Sequence, residues 1–467
     1  MIFTSLTFWA FFGGTFALYW IVQKKHLQNI ILLSASYVFY GWVQPWLALM
    51  LGVSTLADYL LAKGMKIRPI HRRSFMAASL LLNLGVLGFF KYYNFFSEDL
   101  AGLATSLGMQ GNFFLIKILL PAGLSFYTLK KLAYIIDVSR GTLQPAYSLI
   151  DFALYVSFFP QMVAGPIDRP QKMLPQFESP RKWNMELLYS AWPLILIGLF
   201  KKIVIANSVS PLIDRIFHLE APTGLLAITA ALGFTLQLLA DFSAYTDISR
   251  GVSYLLGFDT SENFKSPYLS LTPTDFWNRW HITLSTWLRD YIFFPLRRRL
   301  LRRKGQLPTW LVQSAPPLVT MLLCGLWHGA GWTYLLWGGM YGILIAVYQT
   351  VGMGGNWKPR NGIQTVLAWL VMFSFIVFGW LVFAAPSLDW VVGIFSNPFF
   401  GSIEQQGVAL IGLSLTFVYS LPMILKLLMD RYTSGDSFLR TVYYAAATAA
   451  IFIYINSSTP DFIYFQF

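Results

Sequence analysis

The sequence predicts an all-α polytopic membrane protein on three grounds. The 467 residues are 56% hydrophobic and 12% charged, about half of the roughly 25% charge of an average soluble domain. No soluble core hides that much apolar surface. Runs such as LLAITAALGFTLQLLA (225–240), TVLAWLVMFSFIVFGWLVF (365–383) and TVYYAAATAAIFIYI (441–455) approach or reach the roughly 20 residues that cross a bilayer. The basic residues fall in short clusters between such runs, the pattern of cytoplasmic loops. Lipid leaves no water for unpaired backbone groups, so each span must satisfy its own, and a helix does so. The net charge of +13 therefore reads as topology, and no nucleic-acid partner is expected. Cys324 is the single cysteine, which leaves no intrachain disulfide. No repeat, low-complexity tract or soluble appendage interrupts the pattern, so one integral-membrane domain over 1–467 is expected, with 461–467 as its tail.

Taken in order, MIFTSLTFWAFFGG (1–14) has neither a basic n-region nor a small-residue cleavage site, and is expected to stay as the first span. QKKH (23–26) marks a cytoplasmic loop. A second span at about 28–43 runs outward, QPW (44–46) turns outside, and a third span returns to KGMKIRPIHRR (63–73) with its five Lys and Arg. SEDLAG (97–102) is acidic and reads as an outer loop. Between 113 and 276, Gly- and Pro-broken pieces such as LLPAGLSF suggest re-entrant segments. RRRLLRRK (297–304) is expected to be cytoplasmic again. Spans follow at about 308–326 outward, 331–349 inward to KPR (358–360), and 363–385 outward. The loop 386–406 lacks Lys and Arg, 407–425 returns to Lys426, Arg431 and Arg440, and 441–456 goes out. Roughly ten to twelve spans, with re-entrant or interfacial helices and both termini extracytoplasmic, are expected.

Ionisable groups at membrane depth are costly and therefore candidates for function. Of five histidines, His26 and His71 fall in basic loops, and His218 lies in the loop-like IFHLEAPTG. His281 lies in DFWNRWHITLSTWLRDYIFFPL (275–296). At about 100° per residue, Asn278, His281, Ser285 and Arg289 share one stripe, with Trp280, Thr283, Leu284 and Trp287 opposite. Such a stripe faces a water-filled cavity or a polar partner. The plainer alternative is a histidine that only hydrogen-bonds across a helix interface. His328 lies in CGLWHGAGW (324–332), beside Trp327 and among glycines 325, 329 and 331. Gly permits close approach of a helix or a ligand, so the imidazole is either open to a substrate or buried in a tight helix pair. Histidine is the side chain best placed to move a proton near neutral pH. Cys324, one turn earlier, makes a Cys–His nucleophile pair conceivable, although a lone membrane cysteine is ordinarily packing. Asp241, Asp247 and Arg250 in DFSAYTDISRG (241–251) are expected to pair with one another or with Arg279 or Arg289. AGPIDRP (164–170) is a further polar island, with a structural role expected.

DFSAYTDISRG, ENFKSPYLSLTPTDFWNRWHITLSTWLRDYIFFPL and GLWHGAGWTYLLWGGMYG resemble the signature blocks of membrane-bound O-acyltransferases, in particular the bacterial alginate O-acetyltransferase branch. LLSASYVFYGW (32–42), LLPAGLSFYTLKKLAYIIDVSRG (119–141) and FFPQMVAGPIDR (158–169) extend the likeness over nearly the whole chain. Near relatives often follow the histidine block with a Gly-Gly-Asn-Arg-like loop, where this chain has RRRLLRRKGQ. The resemblance implies a helical shell around a central through-membrane tunnel in the bacterial inner membrane. Acetyl-coenzyme A or another acyl thioester serves it from the cytoplasm, and a hydroxyl enters from outside. His328 matches the family's catalytic histidine and His281 its second histidine. His328 would take the hydroxyl proton, and His281, alone or with Asn278, would orient the thioester or stabilise developing charge. No metal is needed, and no Cys/His spacing suggests one.

Acylation of an extracellular polysaccharide such as alginate, cellulose or peptidoglycan is the expected function. D-alanylation of teichoic acid is the alternative within the family, and a transporter or polymer-export scaffold the alternative outside it. The basic cluster 297–304 would dock coenzyme A phosphates, an acidic carrier protein or anionic lipid. The sequence closes on FIYFQF (462–467). That segment either lies in the interface as an aromatic anchor or folds back to bring Tyr464 near His328. Its Phe-x-Tyr-x-x-Phe spacing resembles the C-terminal motif of the small membrane partner in teichoic acid D-alanylation, which implies Tyr464 as a transient acyl acceptor. A separate periplasmic or extracellular transferase with a serine nucleophile, working with the polysaccharide machinery, would then collect the acyl group.

Overall fold

Helices begin where the sequence supplies a cap. Ser5 Oγ accepts from Phe8 N at 3.2 Å, Ser148 Oγ from Asp151 N at 3.4 Å, and Asn361 Oδ1 from Gln364 N at 2.8 Å. Ser402 and Gln405 cap each other reciprocally, each satisfying a donor that the first turn leaves open. The computed structural model describes residues 1–107, 120–303, 305–355, 357–434, 437–455 and 462, with the backbone alone over 98–105. Among the described residues the chain folds into nineteen α-helices and no strand, as an all-α polytopic membrane protein does.

The expected single domain packs as two compact units. The first comprises Met1–Ile195 and Ile248–Ser261. It holds α1 (Leu6–Ile21), α2 (Lys25–Gly41), α3 (Pro45–Ile67), α4 (Arg72–Ser106), α5 (Leu124–Arg140), α6 (Leu149–Ser157), α7 (Pro170–Glu178) and most of α8 (Met185–Phe200). Its core contains paired charge. Asp58 accepts from Ser79 Oγ at 2.5 Å and from Asn83 Nδ2 at 2.9 Å, and meets Lys131 Nζ at 3.3 Å. Lys130 Nζ donates to Gln161 Oε1 at 2.9 Å. Unpaired, each charge would cost several kcal/mol of desolvation.

The second unit comprises Leu196–Asp247 and Glu262–Phe467. A π-helical stretch, Lys201–Ala206, leads into α9 (Asn207–Phe217), followed by α10 (Gly224–Leu255), whose last turns belong to the first unit. Short helices α11 (Pro273–Trp277), α12 (Ile282–Leu288) and α13 (Phe294–Leu301) come next. The long helices α14 (Thr309–His328), α15 (Trp332–Thr350) and α16 (Gly362–Ala384) follow, then α17 (Leu388–Ser396), α18 (Ile403–Tyr432) and α19 (Phe438–Tyr454).

Seven helical stretches among the described residues are long and apolar enough to cross a membrane: Pro45–Ile67, Pro69–Ser97, Met185–Phe217, Gly224–Leu255, Thr309–His328, Gly362–Ala384 and Ile403–Tyr432. Leu6–Ile21 and Phe438–Tyr454 are apolar but shorter. Of the further spans expected, α2 buries Gln28, Asn29 and Ser36, which lowers its hydropathy. The expected re-entrant region contains the short helices α5, α6 and α7.

Two loop assignments are corrected. SEDLAG is helical and not a loop, because α4 runs on through it to Ser106; no proline interrupts it. The expected loop 386–406 contains α17, capped by Ser387 Oγ accepting from Trp390 N at 3.1 Å.

Candidate functional site

His328 is the last residue of α14, and a close helix pair holds it there. A β-carbon at Gly325 would collide with the Tyr334 carbonyl oxygen, and one at Gly338 with that of Met321. At Gly342 it would stand 2.8 Å from Leu318 Cα. Only glycine lets α14 and α15 approach this far. Gly329 and Gly331 likewise pack against the Tyr334 ring. The glycines around His328 are therefore spent on packing, which corrects the reading that they hold the imidazole open. His328 is buried, with ring centres 4.8 Å from Trp327, 5.3 Å from Trp337 and 5.2 Å from Phe383.

His281 arrives by a different route. Thr272 Oγ1 caps α11 by accepting from Asp275 N at 3.1 Å, and α11 ends at Trp277. Backbone bonds then tie the chain to an earlier segment, Lys265 N to Arg279 O at 2.9 Å and Ile282 N to Asn263 O at 3.0 Å. Asn263 Oδ1 also accepts from Thr283 Oγ1 at 2.7 Å. Between these anchors His281 takes φ 40° and ψ 55°, a left-handed conformation costing a non-glycine residue about 1–2 kcal/mol. Such strain concentrates at functional sites. The imidazole is fully buried, 4.9 Å from the Phe242 ring of α10 and 6.2 Å from Trp327. Trp327 is thus the wall common to both histidines.

The turn at 278–281 removes the expected continuous stripe. Asn278 and Arg289 are exposed, whereas His281 is buried. Arg289 meets Asp290 at 3.6 Å, and Ser285 Oγ donates to the Trp280 carbonyl at 3.0 Å. The structure brings His281, Trp327 and His328 together. It does not bring Asn278 or Arg289 to that buried cluster. Cys324 is buried within α14.

The acidic residues of α10 pair with two lysines that the sequence reading did not single out. Asp241 pairs with Lys202 at 2.7 Å and Asp247 with Lys201 at 2.8 Å, while Arg279 pairs with Asp275 at 2.7 Å and Arg250 Nη2 donates to Tyr254 OH at 3.2 Å. Lys201 and Lys202 lie inside the apolar run LILIGLFKKIVIA. Two charges at membrane depth were the signal that would have singled them out.

Of the tail, Phe462 is described and Tyr464 lies outside the described residues. Phe462 is 1% exposed. Its ring is 5.1 Å from Tyr245, and Lys202 Nζ stands 4.5 Å over it. Phe462 is thus seated in the second unit by a cation–π contact with Lys202, the partner of Asp241. Arg297, Arg298, Arg299, Arg302 and Arg303 are exposed on and just beyond α13; Lys304 lies outside the described residues.

Residues 144–384 match the model of MBOAT, the membrane-bound O-acyltransferase family. The chain is 38% identical over 394 residues to a probable alginate O-acetylase AlgI of Pseudomonas putida, covering 83% of this chain and 78% of that protein. It is 32% identical to the peptidoglycan O-acetyltransferase of Helicobacter pylori, covering 88% and 81% respectively. It is 30% identical to the teichoic acid D-alanyltransferase of Bacillus subtilis, over 56% of this chain and 68% of that protein.

Proposed function

The chain belongs to the membrane-bound O-acyltransferase family, and from that premise we propose that it passes an acetyl group from a cytoplasmic thioester, acetyl-coenzyme A or an equivalent, to an extracellular polysaccharide such as alginate. The observation that carries this reading is the pair of buried histidines sharing the Trp327 indole. A thioester carbonyl is already activated, so a base for the hydroxyl and donors for the oxyanion suffice. His328, among Trp327, Trp337 and Phe383, is the base. It takes the acceptor hydroxyl's proton as that oxygen adds to the carbonyl carbon. The tetrahedral intermediate collapses, the carbon–sulfur bond breaks, and the thiolate leaves with the proton that His328 held. His281 orients the thioester, its ring fixed by the Asn263-anchored turn.

Tyr464 is the proposed transient acceptor. Supporting it is Phe462, two residues earlier, whose ring lies 5.1 Å from Tyr245 of α10, the helix whose Phe242 packs on His281. A separate transferase outside the membrane, with a serine nucleophile, then takes the acetyl group by transesterification. The protein would reside in the bacterial inner membrane with both termini outside and the α13 arginines inside. D-alanylation of teichoic acid is a second reading, favoured by the Bacillus subtilis relative.

The test is mass spectrometry of the C-terminal peptide in a strain lacking the downstream transferase. An acetyl mass on Tyr464, together with loss of polymer acetylation in Tyr464→Phe, supports the relay. Normal acetylation in Tyr464→Phe removes the tail from the reaction.

A further inference from the structure

Where α4 begins and α5 ends, the first unit carries an open groove of about 840 Å³. Arg72 and Arg73, in the first turn of α4, line it together with Arg140, in the last turn of α5. Arg72 joins the two helices, its Nη1 donating to the Ser139 carbonyl at 3.3 Å. Its Nε is buried and has no hydrogen-bond partner among the described residues. A buried guanidinium N–H without an acceptor is costly and calls for an explanation. Among the described residues, none that lines the groove is acidic. Asp137, earlier on α5, is buried and accepts from Gln171 Nε2 at 2.6 Å. Apolar side chains complete the groove: Met76 and Leu80 of α4 and Ile136 of α5. Met76 and Leu80 follow Arg72 at four-residue steps on one face of the helix, which carries the wall about 12 Å along its axis. The same helix belongs to the apolar stretch Pro69–Ser97, long enough to cross a membrane. Ile70, beside the arginines, is 94% exposed.

We infer that this groove binds an anionic phospholipid, with the phosphate on Arg72, Arg73 and Arg140 and an acyl chain along Met76, Leu80 and Ile136. The inference does not depend on the acyl-transfer reading above. A guanidinium fork matches phosphate oxygens, and one such oxygen supplies the acceptor that Arg72 Nε lacks. Basic pockets between membrane helices are where lipid head groups bind. Free phosphate or coenzyme A would engage the arginines alone. A lipid also covers the apolar wall, and each methylene it buries there adds to its hold. The groove is far larger than a phosphate ion needs, and its apolar wall runs along a helix that lies in the bilayer.

Native mass spectrometry of the purified full-length protein reads the bound lipid directly. The protein is released from detergent containing equal amounts of phosphatidylglycerol and phosphatidylcholine with the same acyl chains. The wild type should favour phosphatidylglycerol by about tenfold, and Arg73→Gln should cut that preference about fivefold. Arg73→Gln combined with Arg140→Gln should leave none. Both side chains are exposed, so neither change removes the Arg72–Ser139 bond. Lys66→Gln combined with Arg68→Gln removes the same charge from the adjoining basic loop, outside the groove, and should keep the wild-type preference. Equal loss in that control is diffuse surface attraction and overturns the site, as does full preference in the Arg73 and Arg140 double variant. Inorganic phosphate and coenzyme A, each in excess over the lipid, should leave phosphatidylglycerol in place. Its displacement by either would show a site for phosphate groups alone and overturn the lipid assignment.

Discussion

His281 and Trp327 meet with ring centres 6.2 Å apart, although one arrives on a strained turn and the other near the end of a long helix. His328, the next residue along α14, lies 4.8 Å from the same indole. Two imidazoles separated by one indole are held in place by different means, a hydrogen-bonded loop for His281 and glycine-mediated helix packing for His328.

That difference yields a test of His281 that separates chemistry from packing. Glycine adopts φ 40° freely, so His281→Gly should be more stable than His281→Ala by about 1 kcal/mol, read as a higher melting temperature in detergent. Both variants should nonetheless lose at least about tenfold in turnover. Near-normal turnover in a well-folded His281→Gly would show that the imidazole only fills space.

The Lys202–Asp241 pair, each side chain 3% exposed, should behave as a unit. Lys202→Met alone strands a buried carboxylate and should cost about 3–5 kcal/mol. Combining it with Asp241→Leu should recover most of that loss, because neither charge is then left unpaired. Measured by unfolding in detergent, a double variant no better than the sum of its single changes would show that the two residues do not depend on each other.

Much of this architecture was legible in the residues. The spans expected at 308–326 and 363–385 form as Thr309–His328 and Gly362–Ala384, since hydropathy is a local property. His328 was legible because a histidine in an apolar helix is conspicuous. What failed was everything set by distant contacts. The polar stripe presumed an unbroken helix over 275–296, and the break comes from hydrogen bonds to Asn263 and Lys265. The glycines of GLWHGAG look alike in sequence whether they make space or fill it, and only the position of Tyr334 decides. The lysines that pair with Asp241 and Asp247 are far away along the chain.

Topology is open to a chemical test. The arginines of α13 should face the cytoplasm. In a Cys324→Ser background, a cysteine replacing Arg298 should resist impermeant thiol reagents in intact cells and react once the cells are opened. Labelling from outside would invert the assignment and place the tail on the wrong side for an extracellular acceptor.

The central claim is that His328 is the base of an acyl transfer. Its most direct test is the rate of acetyl transfer from a labelled thioester by purified His328→Gln, compared with the wild type at matched amounts of folded protein. Loss of a general base typically costs roughly 10² to 10⁴ in rate, and a fall of that size, with the melting temperature preserved, is the predicted result. A variant that keeps more than about a tenth of the wild-type rate would contradict the assignment.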